Sequence, residues 1–385
     1  MFNNRFAFFI YDVCRKYGKM NWYNIKNIET VDSPALIVYK ERVQQNIQSV
    51  FNMREAAFLR PHVKTNKMAE VCSMMLSAGI TKFKCATIAE AEMLGMVKAP
   101  DVLLAYQPTP VKAKRLVTLI KQYPSTNFSC LIDDADNAEN ISDIFWDNDI
   151  SLDVFIDVNV GQNRTGIKPS NAFDLFETCM DLKGIHITGL HVYDGHIRDT
   201  DVDERKQKTD TAFQQAVELS EKIASSFNIK LKMVAGGSPT FPVHAQRKDV
   251  ECSPGTFVFW DYGYKTQFPD EPFDYAALVI SRVISIVDEH TICIDLGHKS
   301  VAAENVIEKR VHFLNAENVQ PLGQSEEHLV LKVEDAALYK VGDTLYGVPY
   351  HICPTVALYE RAIVVENNEA VDEWKVIARD RKITI

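Results

Sequence analysis

The sequence predicts an α/β protein, a (β/α)8 barrel followed by an antiparallel β domain, on three observations. Short β-rich runs alternate with helical stretches from Phe58 to Phe257, as parallel strands joined by crossover helices require. Several runs, such as VLLAY and VFIDV, are nearly continuous apolar stretches, the mark of strands covered on both faces. After about Pro272 the texture changes to aliphatic or alternating strands without long helices, in ALVISRVISIV, HTICIDLG, HLVLKVE and RAIVVEN.

Eight runs make the expected barrel: 58–64, 83–87, 102–107, 128–133, 154–158, 188–193, 231–236 and 250–257. Eight such units in so short a stretch favour a closed barrel over an open doubly wound sheet. The helix after the first run is legible in Met68, Val71, Cys72 and Met75, spaced i, i+3, i+4, i+7, with Gly79 at the position of a C′ glycine. Before the barrel, the run Pro34 to Tyr39 suggests a strand returned to the β domain, and Glu41 to Glu55 a helix leading in. The expected division is an N-terminal segment over 1–30 packing with the β domain, a (β/α)8 barrel over 31–272, and a β domain over 273–385.

Bulk composition narrows the function. A chain of 385 residues exceeds one ordinary core, and 46% apolar with 24% charged residues is a globular profile. A net charge of -10 leaves no basic surface for nucleic acid or an anionic membrane, so a small-molecule substrate is expected. The apolar patch Phe6 to Tyr11 is too short for a signal segment, and no run approaches the ~20 apolar residues of a membrane span. Eight scattered cysteines form no CxxC pair, which argues for reduced thiols and a cytoplasmic setting.

The active end of such a barrel is the C-terminal end of its strands. There the first run ends in RPHVKTNK, with Arg60, His62 and Lys64 alternating on one face. Three such side chains on a buried strand are costly without a purpose, against the plainer alternative of a lysine reaching out to solvent. The seventh run ends in AGGSPT, where Gly236, Gly237, Ser238 and Thr240 stand at the usual phosphate rim of this fold; a lone Gly-Gly is more often a plain turn. The sixth ends in HVYDGH, offering His191, Tyr193 and His196, and the loop after the fifth offers Arg164. Further on, GVPYHICPT sets His351 and Cys353 two apart on one side of an extended segment, where an imidazole and a thiolate can share a divalent metal such as zinc. A buried cysteine beside a surface histidine is the ordinary alternative.

Taken together, DSPALIVYKERVQQNI, LRPHVKTNK, CATIAEAE, HVYDGH, AGGSPT, PGTFVFWD, EEH (326–328) and HICPT resemble the D-threonine aldolase and D-serine dehydratase family, with a barrel of the alanine racemase type. The resemblance implies a pyridoxal 5′-phosphate enzyme in which Lys64 forms the Schiff base, with Lys64 and His62 as the catalytic residues. It also implies metal ligation by His351 and Cys353, cofactor contacts by Arg164 and Tyr193, a small D-amino acid substrate and a homodimer. Aldolase members tend to carry Asp at the second ligand position and dehydratase members Cys, so Cys353 leans toward dehydration. The family's KTHK reads KTNK here, which leaves the role of Asn66 open.

The expected reaction is dehydration of a D-β-hydroxy amino acid such as D-serine, D-threonine or 3-hydroxyaspartate. Lys64 takes the α-proton and the metal assists loss of the hydroxyl. The alternative is a retro-aldol cleavage to glycine and an aldehyde on the same residues. An amino-acid racemase, needing two opposed bases and no metal, and a non-catalytic pyridoxal phosphate carrier, built on the barrel alone, are further alternatives.

Overall fold

The structure, a computed structural model, describes residues 21–316 and 318–385. The Phe6 to Tyr11 patch and most of the expected 1–30 segment lie outside them.

Seven parallel strands run in sequential order: β2 (Lys82–Cys85), β3 (Asp101–Leu104), β4 (Asn127–Ile132), β5 (Leu152–Val158), β6 (Ile185–Val192), β7 (Lys232–Ala235) and β8 (Val250–Cys252). Helices α2 (Ala69–Ser77), α3 (Ile88–Met96), α4 (Pro110–Gln122), α5 (Ala135–Trp146), α6 (Pro169–Cys179) and α7 (Val202–Phe227) make up the outer layer. Their start signals match their sequences. Thr87, Asp134 and Asp201 each accept a backbone N–H three residues on, and Pro110 and Pro169 open their helices.

The eighth stave differs from expectation. The run 58–64 forms no ladder and bridges only at Leu59 to Cys252 and His62 to Lys84. Arg60 N–H bonds the Cys252 carbonyl at 2.8 Å, and Val63 N–H and the Pro61 carbonyl bond Lys84 at 2.9 Å each. Pro61, which has no N–H, stands in the middle of the segment, so one pairing position is lost while the barrel still closes between β8 and β2. The run 250–257 likewise ends as a strand at Cys252, because Pro254 and Gly255 turn the chain into a short 3-10 helix over Thr256–Val258.

The second sheet has nine strands. Its path runs β12 (Gln320–Gln324), β13 (Leu329–Lys332), β10 (Thr291–Ile294), β9 (Ala277–Asp288), β1 (Ala35–Tyr39), β15 (Arg361–Glu366) and β16 (Glu369–Lys375), with β11 (Val311–Phe313) and β14 (Thr344–Pro349) attached through β9. β1, which precedes the barrel, pairs antiparallel with β9 and parallel with β15, as the Pro34 to Tyr39 run suggested. Helix α1 (Lys40–Phe51) then carries the chain into the barrel. Tyr23, Ile25 and Val31 pack with Ile37, Leu278, Tyr346 and Val348 on one face of this sheet. The other face joins the large barrel core through Leu36, Val279 and Val364. Among the described residues seven cysteines are free, and no helix is long and apolar enough to cross a membrane.

Candidate active site at the mouth of the barrel

Arg60, His62 and Lys64 share a face but not a role. Arg60 is 1% exposed; its guanidinium bonds Asp101 at 2.6 and 3.1 Å and Glu251 at 2.7 Å, and Glu251 also pairs with Lys82. Asp101 and Lys82 open β3 and β2, so this network closes the N-terminal end of the barrel, and Arg60 belongs to the scaffold. Two residues on, burial, then Lys64 and Lys84, hold the His62 imidazole well below its ordinary range. The neutral ring accepts the Lys64 backbone N–H at Nδ1, 3.3 Å away. Asn66 is buried; its Oδ1 accepts the Met68 N–H at 3.1 Å, so it shapes the turn into α2.

Beside Lys64, on β2, lies a second lysine that the sequence reading passed over. Lys84 is 2% exposed, and burial, with the Lys64 charge, brings its ammonium down to about 7 against the pull of Asp157 and Asp194. Its Nζ is 3.4 Å from His191 Nε2; His191 Nδ1 is 2.7 Å from Asp157 Oδ1, and Thr165 donates to Asp157 Oδ2 at 3.0 Å. Burial would raise the Asp157 carboxyl, but the bond to His191 holds it below its usual range; a carboxylate oxygen only accepts, so the 2.7 Å contact assigns the proton to Nδ1. Nε2 then faces Lys84 with a lone pair.

Tyr193, just past β6, is the common neighbour of two cations, the expected Arg164 and the unexpected Lys84, which lie 5.0 Å and 5.6 Å from its ring centre. On its other side is the glycine pair. Gly236 takes φ +76, and a Cβ on Gly237 would meet the Tyr193 ring at 3.0 Å. Ser238 Oγ accepts the N–H groups of Gly255 and Thr256 at 3.3 Å each, which draws the turns after β7 and β8 together. Thr240 and His244 bond the buried Asp194 carboxylate at 2.7 and 2.8 Å. A close, glycine-opened pair of turns beside Arg164, Lys64 and Lys84 fits a phosphorylated aromatic cofactor, with its phosphate at the two turns.

The HICPT segment is not extended throughout. His351 is the extended N-cap residue of α8 (Ile352–Leu358), and Cys353 lies in its first turn. They still face each other. Burial opposes it, but Cys353 and Glu304 push the His351 imidazole up to about 9; burial likewise opposes the Cys353 thiol, which His351 and Lys64 hold below its ordinary range. Glu304 Oε1 sits 2.6 Å from His351 Nδ1, and Asp261 Oδ2 accepts the Ile352 N–H at 3.1 Å. Cys353 Sγ is 3.1 Å from Thr65 Oγ1 and 3.7 Å from Thr256 Oγ1, so the C-terminal segment reaches both the Lys64 loop and the turn after β8. Among the described residues no group of three or more His, Cys, Asp or Glu side chains is gathered for a metal. A facing imidazole and thiolate nonetheless fit a divalent ion whose remaining positions belong to water or substrate.

These residues define an enzyme-like mouth on a barrel capped by a mixed β sheet. The model of the alanine racemase N-terminal domain matches residues 38–262, more than half of the chain, and the chain belongs to that family. A second model, described as "Putative serine dehydratase domain", matches 276–365. The chain is 26% identical to D-threonine aldolase of Arthrobacter sp. across 91% of this chain and 93% of that protein. It is 22% identical to D-threo-3-hydroxyaspartate dehydratase of Delftia sp. across 90% and 97%. The solved D-threonine aldolase of Filomicrobium marinum superposes with a TM-score of 0.82 at 25% identity, covering 91% of this chain and 96% of that one.

Proposed function

We propose that this chain is a pyridoxal 5′-phosphate- and divalent-metal-dependent dehydratase of a D-β-hydroxy amino acid. It is an enzyme of the lyase type, as its near full-length relatives are by name. The observation that carries the reading is the meeting of Cys353 with the Lys64 loop, through Thr65, across 288 residues of sequence.

Bound to Lys64, the cofactor supplies an electron sink for the pair left at the α-carbon. The chain's own residues do the rest. Lys64, as a free amine, would take the α-proton. Tyr193 and Arg164 border the ring site, while Gly236, Gly237, Ser238 and Thr240 shape the phosphate turns. His62, neutral, accepts the Lys64 backbone N–H and holds that backbone in place. His351 and Cys353 would hold the metal, zinc by the softness of the donors, whose Lewis acidity favours loss of a β-hydroxyl. Glu304 orients His351 from behind. On this reading the barrel supplies the cofactor site and the 273–385 β domain the metal ligands. A homodimer in the cytoplasm completes the proposal on the family resemblance and the reduced cysteines.

Retro-aldol cleavage would use the same side chains, and the Arthrobacter relative's name favours it; Cys353 in place of a carboxylate favours dehydration. Product analysis with D-serine, D-threonine and D-threo-3-hydroxyaspartate tests the choice. Keto acid and ammonia support dehydration, whereas glycine and an aldehyde would replace it with the aldolase reading.

A further inference from the structure

Behind the turn after β7 stands a run of side chains that the roles assigned so far leave unused: Asp194, His244 and Arg247. Asp194, two residues past β6, and His244, at the end of the short helix Phe241–His244, are both buried. The Asp194 carboxylate accepts the Thr240 hydroxyl on Oδ1 at 2.7 Å and His244 Nε2 on Oδ2 at 2.8 Å. Arg247, whose guanidinium only donates, gives its Nε–H to His244 Nδ1 at 3.3 Å and holds Asp210 of α7 at 2.7 Å. The His244 proton therefore sits on Nε2 and is donated to Asp194, so every bond in the run has a direction. Burial would raise the Asp194 carboxyl, but His244 and Thr240 hold it below its ordinary range, as an ionised acceptor of both.

This carboxylate fixes the shape of the turn. The Gly236 N–H bonds the Val192 carbonyl at 2.9 Å, which ties the start of the turn to the end of β6; Thr240 and His244 tie its end to the same place. Gly236, at φ +76, fits between them only without a side chain, since a Cβ would lie 2.6 Å from the His244 ring and 3.0 Å from Thr240 Oγ1. The Thr240 hydroxyl commits its one proton to Asp194, and its oxygen accepts the Gly237 N–H at 3.4 Å. It has no proton left for a phosphate oxygen, so its part is to hold the turn.

We propose that Asp194 and His244 are positioning residues that hold the 236–240 turn in the shape that recognises the cofactor phosphate, without touching the phosphate themselves. The proposal rests on the reading that pyridoxal phosphate puts its phosphate at the turns after β7 and β8, and its test separates the two. Affinity of the cofactor-free protein is measured by absorbance, with a metal chelator present, for pyridoxal phosphate and for pyridoxal, which can join the same lysine but lacks the phosphate. A general loss of stability weakens both ligands alike, whereas a distorted phosphate turn weakens the first alone. Asp194→Ala and His244→Phe should each lower affinity for pyridoxal phosphate about ten-fold or more and leave pyridoxal within about three-fold. His244→Gln, which keeps an N–H donor of similar reach, should restore most of the preference. Equal losses for the two ligands overturn the role given to Asp194 and His244. So does a preference for the phosphorylated form that survives in these variants but is lost in Gly237→Val. An unaltered protein that binds both ligands equally, or a preference that survives in Gly237→Val as well, overturns the phosphate reading instead. Should Asp194→Ala fold poorly, Thr240→Val, which keeps the shape of the side chain and removes the hydroxyl, must show the same selective loss.

Discussion

Thr65 Oγ1 lies 3.1 Å from Cys353 Sγ, and Thr65 is the residue that follows Lys64. One hydroxyl thus joins the end of the first barrel stave to the opening turn of a helix that follows β14. The contact links the candidate cofactor lysine to the candidate metal ligands, and makes their separate loss informative. Cys353→Ala should leave cofactor uptake on Lys64 intact, since combination with an amine needs no metal, while turnover falls by a factor of 100 or more, in the order of effects expected for lost Lewis-acid assistance. Chelation of the unaltered protein should do the same, and zinc should restore it. Full turnover after metal removal, verified by elemental analysis, would contradict the assignment.

At the glycine pair the expectation is steric. A Cβ at position 237 would press on the Tyr193 ring from 3.0 Å, and a valine would add two further carbons. Gly237→Val should therefore weaken pyridoxal phosphate binding by ten-fold or more, with a thermal midpoint lowered by only a few degrees. Unchanged cofactor affinity in a folded variant would place the phosphate elsewhere.

The phenol of Tyr193 tests the ring site more finely. Its ring has Arg164 and Lys84 on it, and a cofactor here would share that surface. Tyr193→Phe should shift the absorption maximum of the bound cofactor or the pH dependence of that band, because a hydroxyl dipole is lost beside the chromophore. An identical spectrum at every pH would rule out direct contact.

Much of the fold was legible because periodicity and buried strands leave direct marks: the runs FSCLI and VFIDV became β4 and β5 nearly as expected. The first stave was harder to read, since Pro61 limits it to isolated bridges that no pattern distinguishes from a strand. The HxC pair was found, but not the helix it begins, because a two-residue spacing looks alike in a strand and at a helix start. Lys84 was missed for a physical reason: in KFKC it alternates with Phe83 as any half-exposed strand residue would, and only barrel closure turns that face inward. Its sign was available in one form, a lysine in the middle of a strand that a closed barrel must cover. Thr65, Asp194 and Asp261 stand inside the motifs RPHVKTNK, HVYDGH and PGTFVFWD, and Asp157 inside the run VFIDV, but their contacts are with partners distant in sequence, which no local pattern shows.

Arg60 offers a test that separates scaffold from site. Its guanidinium is the partner of Asp101 and Glu251 at the closed end of the barrel. Arg60→Met would leave Glu251, 7% exposed in its side chain, with only Lys82, and should cost about 3 kcal/mol in unfolding free energy, the low end for breaking a buried pair. Denaturant titration measures this. The cofactor spectrum should be unchanged, and a variant with native stability but an altered spectrum would return Arg60 to the active site.

The account centres on Lys64, and reduction of the yellow protein with borohydride followed by peptide mass mapping tests that directly. The expected result is loss of the visible absorbance and one reduced pyridoxyl adduct, on Lys64 in the peptide that contains RPHVKTNK. An adduct on Lys84 or any other lysine, or a protein that binds pyridoxal phosphate without a reducible bond, would contradict it.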